Sequence, residues 1–484
     1  MSDIVYKTAT ELARMIAKGD IGSEELLNLY IDRIEKHDGD VNAVIVRDFD
    51  RAREEARACD TETARGESRG PLHGVPMTVK ESFDVAGLQT CWGVPDAVGN
   101  IAKKDAVVIK RLKAAGAVIF GKTNIPIMLQ DFQSYNEVYG TTNNPHDLSR
   151  GAGGSSGGGA AALAAGFCAL EYGSDIGGSI RNPAHYNGVY GHKPTWNLVP
   201  MRGHSLAGAL TPSDLSVVGP LARSAEDLDQ ALVLTMGADH LHAGGWKVDM
   251  PVPTLTDLKG LKVALWLDDP LAPVDDSVKA IVSAAAQAMA DAGAEIDPDA
   301  RPDFDAARSH DAYSALLWST LGTRQTDEAY AEALEKVANL ADDDTSKEAD
   351  VARAMTLSFR DWARLNEFRT GLRWAWHRFF QDYDVLLTPM CVTAAFPHDH
   401  NPKMGARRLT VNGEERDYFE QLFWAGMTGV SLLPSTVMPG GMTADNLPVG
   451  LHIVGPEMGD RKTITVAKLL SQRFGGFQAP ARMS

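Results

Sequence analysis

Lys80 closes the apolar run Gly74-Val75-Pro76-Met77-Thr78-Val79 and is followed by Glu81. Two serines lie in glycine-rich stretches, Ser155 in Gly153-Gly154-Ser155-Ser156-Gly157-Gly158 and Ser179 in Asp175-Ile176-Gly177-Gly178-Ser179. A serine hydroxyl becomes an effective nucleophile only when a base removes its proton. A lysine delivered by a strand into an interior would suit that task, because burial lowers its pKa from about 10.4, by up to ~3–5 units when complete, and yields a neutral amine. Two alternatives stand beside this one. From this segment alone Lys80 reads more readily as an exposed lysine paired with Glu81, since most lysines are exposed, and His185 and His192 are further base candidates close to Ser179 in the chain. Consecutive N–H groups ahead of Ser179, unshielded by side chains, would form a nest able to hold an oxyanion.

The elements around these residues must return two serines to one face. The first glycine loop carries little side-chain bulk and can approach another group closely, and Ala160–Leu170 is predicted as a small-residue helix packing against it. Three competing motifs fit their contexts poorly. Gly116 to Thr123 matches the phosphate-loop pattern, but its middle is an apolar strand and Pro126 follows. Gly153 to Gly157 matches the nucleophile elbow of α/β-hydrolases, with Ser155 as nucleophile, yet a polar loop precedes it where the elbow needs an apolar strand. His398-Asp399-His400 and His240-Leu241-His242 offer paired imidazoles without a third ligand, so no metal site is expected.

The wider chain reads as α/β. Its first sixty residues are predicted to be helical, with Ser23 as a cap and Leu26, Leu27, Tyr30, Ile31 and Ile34 at helical spacing. From about residue 71 to 236, short apolar runs alternate with helical patterns. A strand is expected at Lys262–Leu267, a helix capped by Asp275 runs to Ala292, long aromatic-bearing helices fill 305–381, and Asn412-Gly413 signals a hairpin. The acidic run Asp342–Asp344 reads as a solvated loop. At roughly 100–200 residues per domain, 484 residues suggest two to four domains or one large fold. Lys and Arg number 47 against 64 Asp and Glu, a net charge of −17 that disfavours nucleic-acid binding. Four scattered cysteines suggest a reducing compartment. The first twenty residues lack a signal-peptide pattern and no apolar stretch approaches the ~18 residues of a membrane span, so a cytoplasmic protein without membrane association is expected.

The set of Lys80, GGSSGG with Ser155 and DIGGSIR with Ser179 resembles the amidase signature family of serine hydrolases. Leu72-His73-Gly74-Val75-Pro76, Gly121-Lys122-Thr123-Asn124, Asn144-Pro145, Gly191-His192-Lys193-Pro194-Thr195, Leu447 to Leu451 and Gly455-Pro456 extend it over most of the chain. One departure is Gly159, where the family often has serine or glutamate. The resemblance implies an α/β fold with a mixed, twisted central sheet covered by helices on both sides, and one domain over 1–484. That domain would comprise an N-terminal helical layer (1–60), a signature catalytic core (71–236) and a variable substrate-pocket region (300–435). It also implies that Ser179 is the nucleophile, Ser155 a relay serine after a cis peptide bond from Gly154, and Lys80 the base. The oxyanion hole would be the N–H groups of Ile176, Gly177, Gly178 and Ser179, with Asp175 and Arg181 bracing the loop. No metal or organic cofactor is implied.

The implied reaction is hydrolysis of a small-molecule carboxylic amide through an acyl-serine. Substrate-binding residues are not identifiable from the sequence. Trp318, Trp374, Trp376, Phe423 and Trp424 are candidates for an apolar pocket, or else core. The expectation is preference for apolar aryl or medium-chain amides, with esters or carbamates as further substrates, over formamide-sized or highly charged ones, unless a local cation such as Arg202 intervenes. An alternative within the family is the A subunit of the tRNA-dependent glutamine amidotransferase. Its C-terminal segment is not recognised here, where Asp460-Arg461-Lys462-Thr463 continues as a helix. A homodimer remains open, and an esterase using Ser155 is the remaining reading.

Overall fold

The computed structural model describes residues 4–205, 209–341 and 343–483. Asp342 of the acidic run and Met1 to Asp3 of the N-terminal stretch lie outside the described residues. Three helices, Ala9–Lys18, Ser23–Val41 and Phe49–Ala64, occupy the N-terminal region. The first opens with a capping box between Thr8 and Glu11. Ser23 does not cap the second helix as expected: it lies within it, and its hydroxyl donates to Gly74 O at 2.6 Å. The Asp60 carboxylate takes the capping role instead, accepting from the N–H groups of Ser23 (2.5 Å) and Glu24 (3.0 Å). The all-helical expectation also missed the strand Val44–Arg47, whose β-branched run forms one edge of a small sheet.

That sheet has the order Val44–Arg47, Val118–Thr123, Pro76–Lys80. Pro76–Lys80 runs parallel to its neighbour and every residue of it is buried, as a near-continuous apolar strand requires. Its other side meets the edge of an eight-stranded sheet, with Thr78 N–H donating to Leu170 O and Ala169 N–H to Pro76 O, both at 3.3 Å. The order there is Glu295–Asp297, Lys262–Leu265, Val385–Pro389, Pro448–Val454, Ser435–Met442, Tyr190–Lys193, Val217–Ala222, Glu171–Asp175. The first three strands are parallel and the remaining pairings antiparallel, so the sheet is mixed.

Helices flank this sheet, among them Ala225–Thr235, Asp276–Asp291 and Asp460–Ser471. Two shorter helices, Gly157–Ala164 and Arg181–Asn187, are buried at every position. Glycine and alanine let the first lie close to its surroundings, at the cost of having no polar face. The predicted helix at Ala160–Leu170 is therefore displaced toward the glycines, and Phe167 to Leu170 lead into the strand Glu171–Asp175. Asn412 and Gly413, with φ of 50° and 82°, turn the hairpin Arg408–Val411/Glu414–Asp417. No helix among the described residues is long and apolar enough to cross a membrane.

Candidate active site

Strand Pro76–Lys80 ends with its lysine inside the protein, where Lys80 is fully buried. Its Nζ lies 2.7 Å from Ser155 Oγ, 2.9 Å from Ser156 Oγ, 3.0 Å from Ser174 Oγ and 3.4 Å from Ser174 O. Burial holds the amine well below its ordinary pKa; Asp175 and Glu171 pull in the opposite direction and Arg324 adds to the depression. The exposed-lysine alternative does not hold. Glu81 turns away from Lys80 and accepts from the N–H groups of Cys91 (2.6 Å) and Trp92 (3.0 Å) and from Tyr139 Oη (3.2 Å). Neither histidine reaches the serines: the His185 ring lies between Gly450 and Thr393, and His192 between Thr436 and Asp460.

The peptide bond Gly154–Ser155 is cis. Glycine is required before it on steric grounds, because a Cβ on Gly154 would stand 2.3 Å from Asp131 O. Asp131 is itself fixed by an ion pair with Arg407 (2.6 Å) and a hydrogen bond from Tyr418 Oη (2.6 Å), and the side chains of the ion pair are nearly closed to solvent. The two glycine loops are joined where Ser156 N–H donates to Ser179 O at 3.1 Å. Lys80, Ser155 and the Ser179 loop are thus assembled in one place, while the nucleophile-elbow reading lacks its strand-to-helix geometry, since Ser155 sits in a loop ahead of Gly157–Ala164.

Asp175 organises the second loop. Burial alone would raise its pKa, but the Arg181 guanidinium (2.9 and 3.0 Å) and N–H donors from Gly178 (2.9 Å) and Ile180 (3.0 Å) outweigh it and hold the carboxyl below its usual range. Arg181 continues to Ala425 O (3.2 Å) and Thr428 Oγ1 (3.1 Å), so the pair braces the loop. Gly178 N–H is consequently spent within the loop, unlike in the four-donor arrangement expected from the sequence. Among the described residues, the N–H groups of Ile176, Gly177 and Ser179 have no acceptor in the protein. Tyr313 Oη donates to Ile176 O at 3.0 Å and sets the orientation of that peptide.

Ser179, Ile176 and Gly177 open on a cavity of about 110 Å³ whose other walls include Phe132, Leu317, Trp318, Phe419 and Leu422. Of the aromatic candidates, only Trp318 lines it. Trp376 and Trp424 are buried core side chains, Phe423 packs edge-on against Trp424, and Trp374 is 59% exposed. Ser156, Ser174, Tyr313 and Glu171 were not singled out from the sequence. A visible signal for the last was a carboxylate within an otherwise buried strand. Glu171 is fully buried, accepts from Thr78 Oγ1 and, at 3.1 Å, from Thr123 Oγ1, and burial pushes it up to about 8. It also accounts for the glycine at 159: a Cβ there would stand 2.6 Å from Glu171 Cγ.

The other motifs resolve structurally. Lys122 is buried on strand Val118–Thr123 and donates to Gln89 O and Thr90 Oγ1. His400 stacks on Tyr135, and His242 on Trp246. Among the described residues, Cys59, Glu62 and His73 come close enough to share an ion. Internal bonds occupy two of the three side chains, however: the His73 ring bonds Thr63, Cys59 O and Arg69 N–H, and Glu62 is held by Arg69.

Residues 25–464 match the family described as Amidase. The chain is 32% identical to the A subunit of the glutamyl-tRNA(Gln) amidotransferase of Acidothermus cellulolyticus, over 98% of this chain and 95% of that protein. It is also 32% identical to an acylamidase of Rhodococcus erythropolis, over 96% of this chain and 94% of the relative. A solved bacterial aryl acylamidase of the amidase signature family superposes with a TM-score of 0.81 at 25% identity, covering 97% of this chain and 96% of that one.

Proposed function

The chain belongs to the amidase family, enzymes acting on carbon–nitrogen amide bonds, and from that premise we propose that it hydrolyses apolar aryl or medium-chain amides through a Ser179 acyl-enzyme. The observation that carries this reading is the 2.7 Å contact between a buried, desolvated Lys80 amine and Ser155, beside a Ser179 that opens on an apolar cavity.

In this mechanism, neutral Lys80 takes a proton through Ser155 from Ser179 as Ser179 Oγ attacks the amide carbonyl carbon. The N–H groups of Ile176, Gly177 and Ser179 stabilise the developing oxyanion, acting in a water-poor site where fixed donors are most effective. The protonated relay then gives its proton to the departing amine. Water, activated by the same relay, attacks the acyl-Ser179 ester and releases the acid. Neither a metal nor an organic cofactor takes part. Aryl esters and carbamates place a similar carbonyl before the same nucleophile and are further substrates. Phe132, Leu317, Trp318 and Leu422 would hold the apolar group, and burying an aryl ring of some 150–250 Å² at about 25 cal/mol per Å² adds several kcal/mol of gross binding. The acylamidase and aryl acylamidase likenesses agree with this choice.

The test compares kcat/KM for acetamide, hexanamide, benzamide, acetanilide and an aryl carbamate. Acetamide turned over as well as every aryl compound would overturn the substrate class. A second reading, the A subunit of a glutamine amidotransferase, is favoured by the equal identity to that relative. It predicts glutamine as the substrate and little anilide hydrolysis by the chain alone.

A further inference from the structure

Tyr313 stands in the helix Ala306–Gly322, far along the chain from the two glycine loops, and its hydroxyl takes no part in the proton relay. The side chain is fully buried and is not among the residues that line the Ser179 cavity. Its ring is seated on the buried helix Gln421–Gly429, where two glycines make the room. A Cβ on Gly426 would overlap Tyr313 Cδ1, and one on Gly429 would stand 3.4 Å from Cε2. The ring therefore has little freedom, and its hydroxyl is delivered to one acceptor, Ile176 O, at 3.0 Å. Gly177 is closed in from the same side, since a Cβ there would stand 3.3 Å from Tyr313 Oη and 3.2 Å from Leu422 Cδ2. Burial holds the phenol above its ordinary pKa, so it remains a donor through neutral and moderately alkaline pH.

The peptide between Ile176 and Gly177 is trans, the one cis bond among the described residues being Gly154–Ser155. In a trans peptide the C=O and N–H point in opposite directions, so a hydroxyl that fixes Ile176 O on one side aims Gly177 N–H to the other. Gly177 lines the cavity that Tyr313 does not reach, and its N–H has no acceptor among the described residues. A hydrogen bond to the carbonyl also polarises the peptide and strengthens its N–H as a donor. We propose that Tyr313 is a positioning residue for the reaction: through Ile176 O it aims and strengthens the Gly177 N–H that meets the developing oxyanion. This rests on the acyl-enzyme reading of Ser179. The same helix carries Leu317 one turn further on and Leu321 two turns on, both in the cavity wall with Trp318. One helix thus sets both the wall against the substrate's apolar group and the aim of an oxyanion donor.

Tyr313→Phe keeps the ring on its two glycines and removes only the hydroxyl. Loss of a whole oxyanion donor costs about 10²–10³-fold in kcat, and a donor that remains but is less well aimed is expected to cost about 10-fold. KM for acetanilide should stay within about twofold of the wild type, because the donor acts in the transition state. The second-order rate of fluorophosphonate labelling at Ser179, which also directs an oxygen toward these N–H groups, should fall by a similar factor. Thr320→Val removes another buried hydroxyl of this helix, one bonded to Leu316 O at 2.8 Å, and is expected to leave kcat and the labelling rate unchanged. A Tyr313→Phe kcat within about twofold of the wild type, a loss carried by KM instead, or an equal loss in Thr320→Val overturns the assignment. If the wild type hydrolyses neither acetanilide nor glutamine, the amidase reading fails while the labelling rates still judge Tyr313. Equal rates in wild type and Tyr313→Phe, or no labelling of Ser179 in the wild type, then overturn its role.

Discussion

Replacing Lys80 by methionine keeps an unbranched side chain of similar length in a fully buried position and removes only the amine. Two consequences follow from the contacts of Nζ. Loss of the base is expected to lower kcat by about 10²–10⁴-fold, the usual contribution of a positioned general base, with KM changed far less. Loss of its hydrogen bonds leaves the hydroxyls of Ser155, Ser156 and Ser174 each one partner short, a pH-independent cost of about 0.5–1.5 kcal/mol apiece. The amine also carries a pH-dependent cost in the wild type. Burial depresses its folded pKa, whereas the unfolded lysine keeps a value of about 10.4. Between those two values the unfolded chain binds the extra proton, so wild-type stability rises with pH across that window, by as much as about 1.4 kcal/mol per pH unit. The Lys80→Met variant has no such dependence. Urea unfolding of both proteins from pH 6 to 10 should therefore show the stability difference moving toward the wild type as pH rises, and wild-type activity should rise with pH over its acidic limb. A kcat within fivefold of the wild type, or a stability difference flat across this range, would refute Lys80 as a buried neutral base.

Ser179→Ala should abolish turnover and acyl-enzyme formation, and a fluorophosphonate should label Ser179; mass spectrometry finding the label on Ser155 instead would reverse their roles. Gly159→Ala should cost about 1–3 kcal/mol by driving a methyl into Glu171, and less in a Glu171→Ala background, as denaturant melts of the two singles and the double would measure. Arg407→Met should destabilise by about 3–5 kcal/mol, because Asp131 would be left buried without its cation, and thermal unfolding tests it. Trp318→Ala should raise KM for acetanilide at least fivefold while leaving acetamide kinetics nearly unchanged; equal effects on both would move Trp318 out of the apolar pocket. Prolonged dialysis against a chelator should leave activity intact, and a zinc-reversible loss would contradict the metal-free mechanism.

Local chemistry made several features legible in the sequence. Asn412-Gly413 specified a hairpin because both residues tolerate positive φ, and Asp275 announced a helix start because its side chain can take the first free N–H groups. The mixed α/β architecture and the residues Lys80, Ser155 and Ser179 were legible mainly through several motifs in a fixed order, since each alone admitted another reading. What the chain did not display are relations between residues far apart along it. Asp60 caps a helix starting 37 residues earlier, where Ser23 was the local candidate. Glu81, beside Lys80 in sequence, is turned to the N–H groups of Cys91 and Trp92, so the neighbouring pair is not an ion pair. The aromatic residues divide into core, surface and pocket according to which face of their helix packs against its neighbours, a property that composition does not carry. The state of Lys80 is decided by the tertiary structure too. Its pKa is depressed because segments distant in the chain close around it and exclude water, and the free energy of desolvation belongs to that enclosure rather than to the residue.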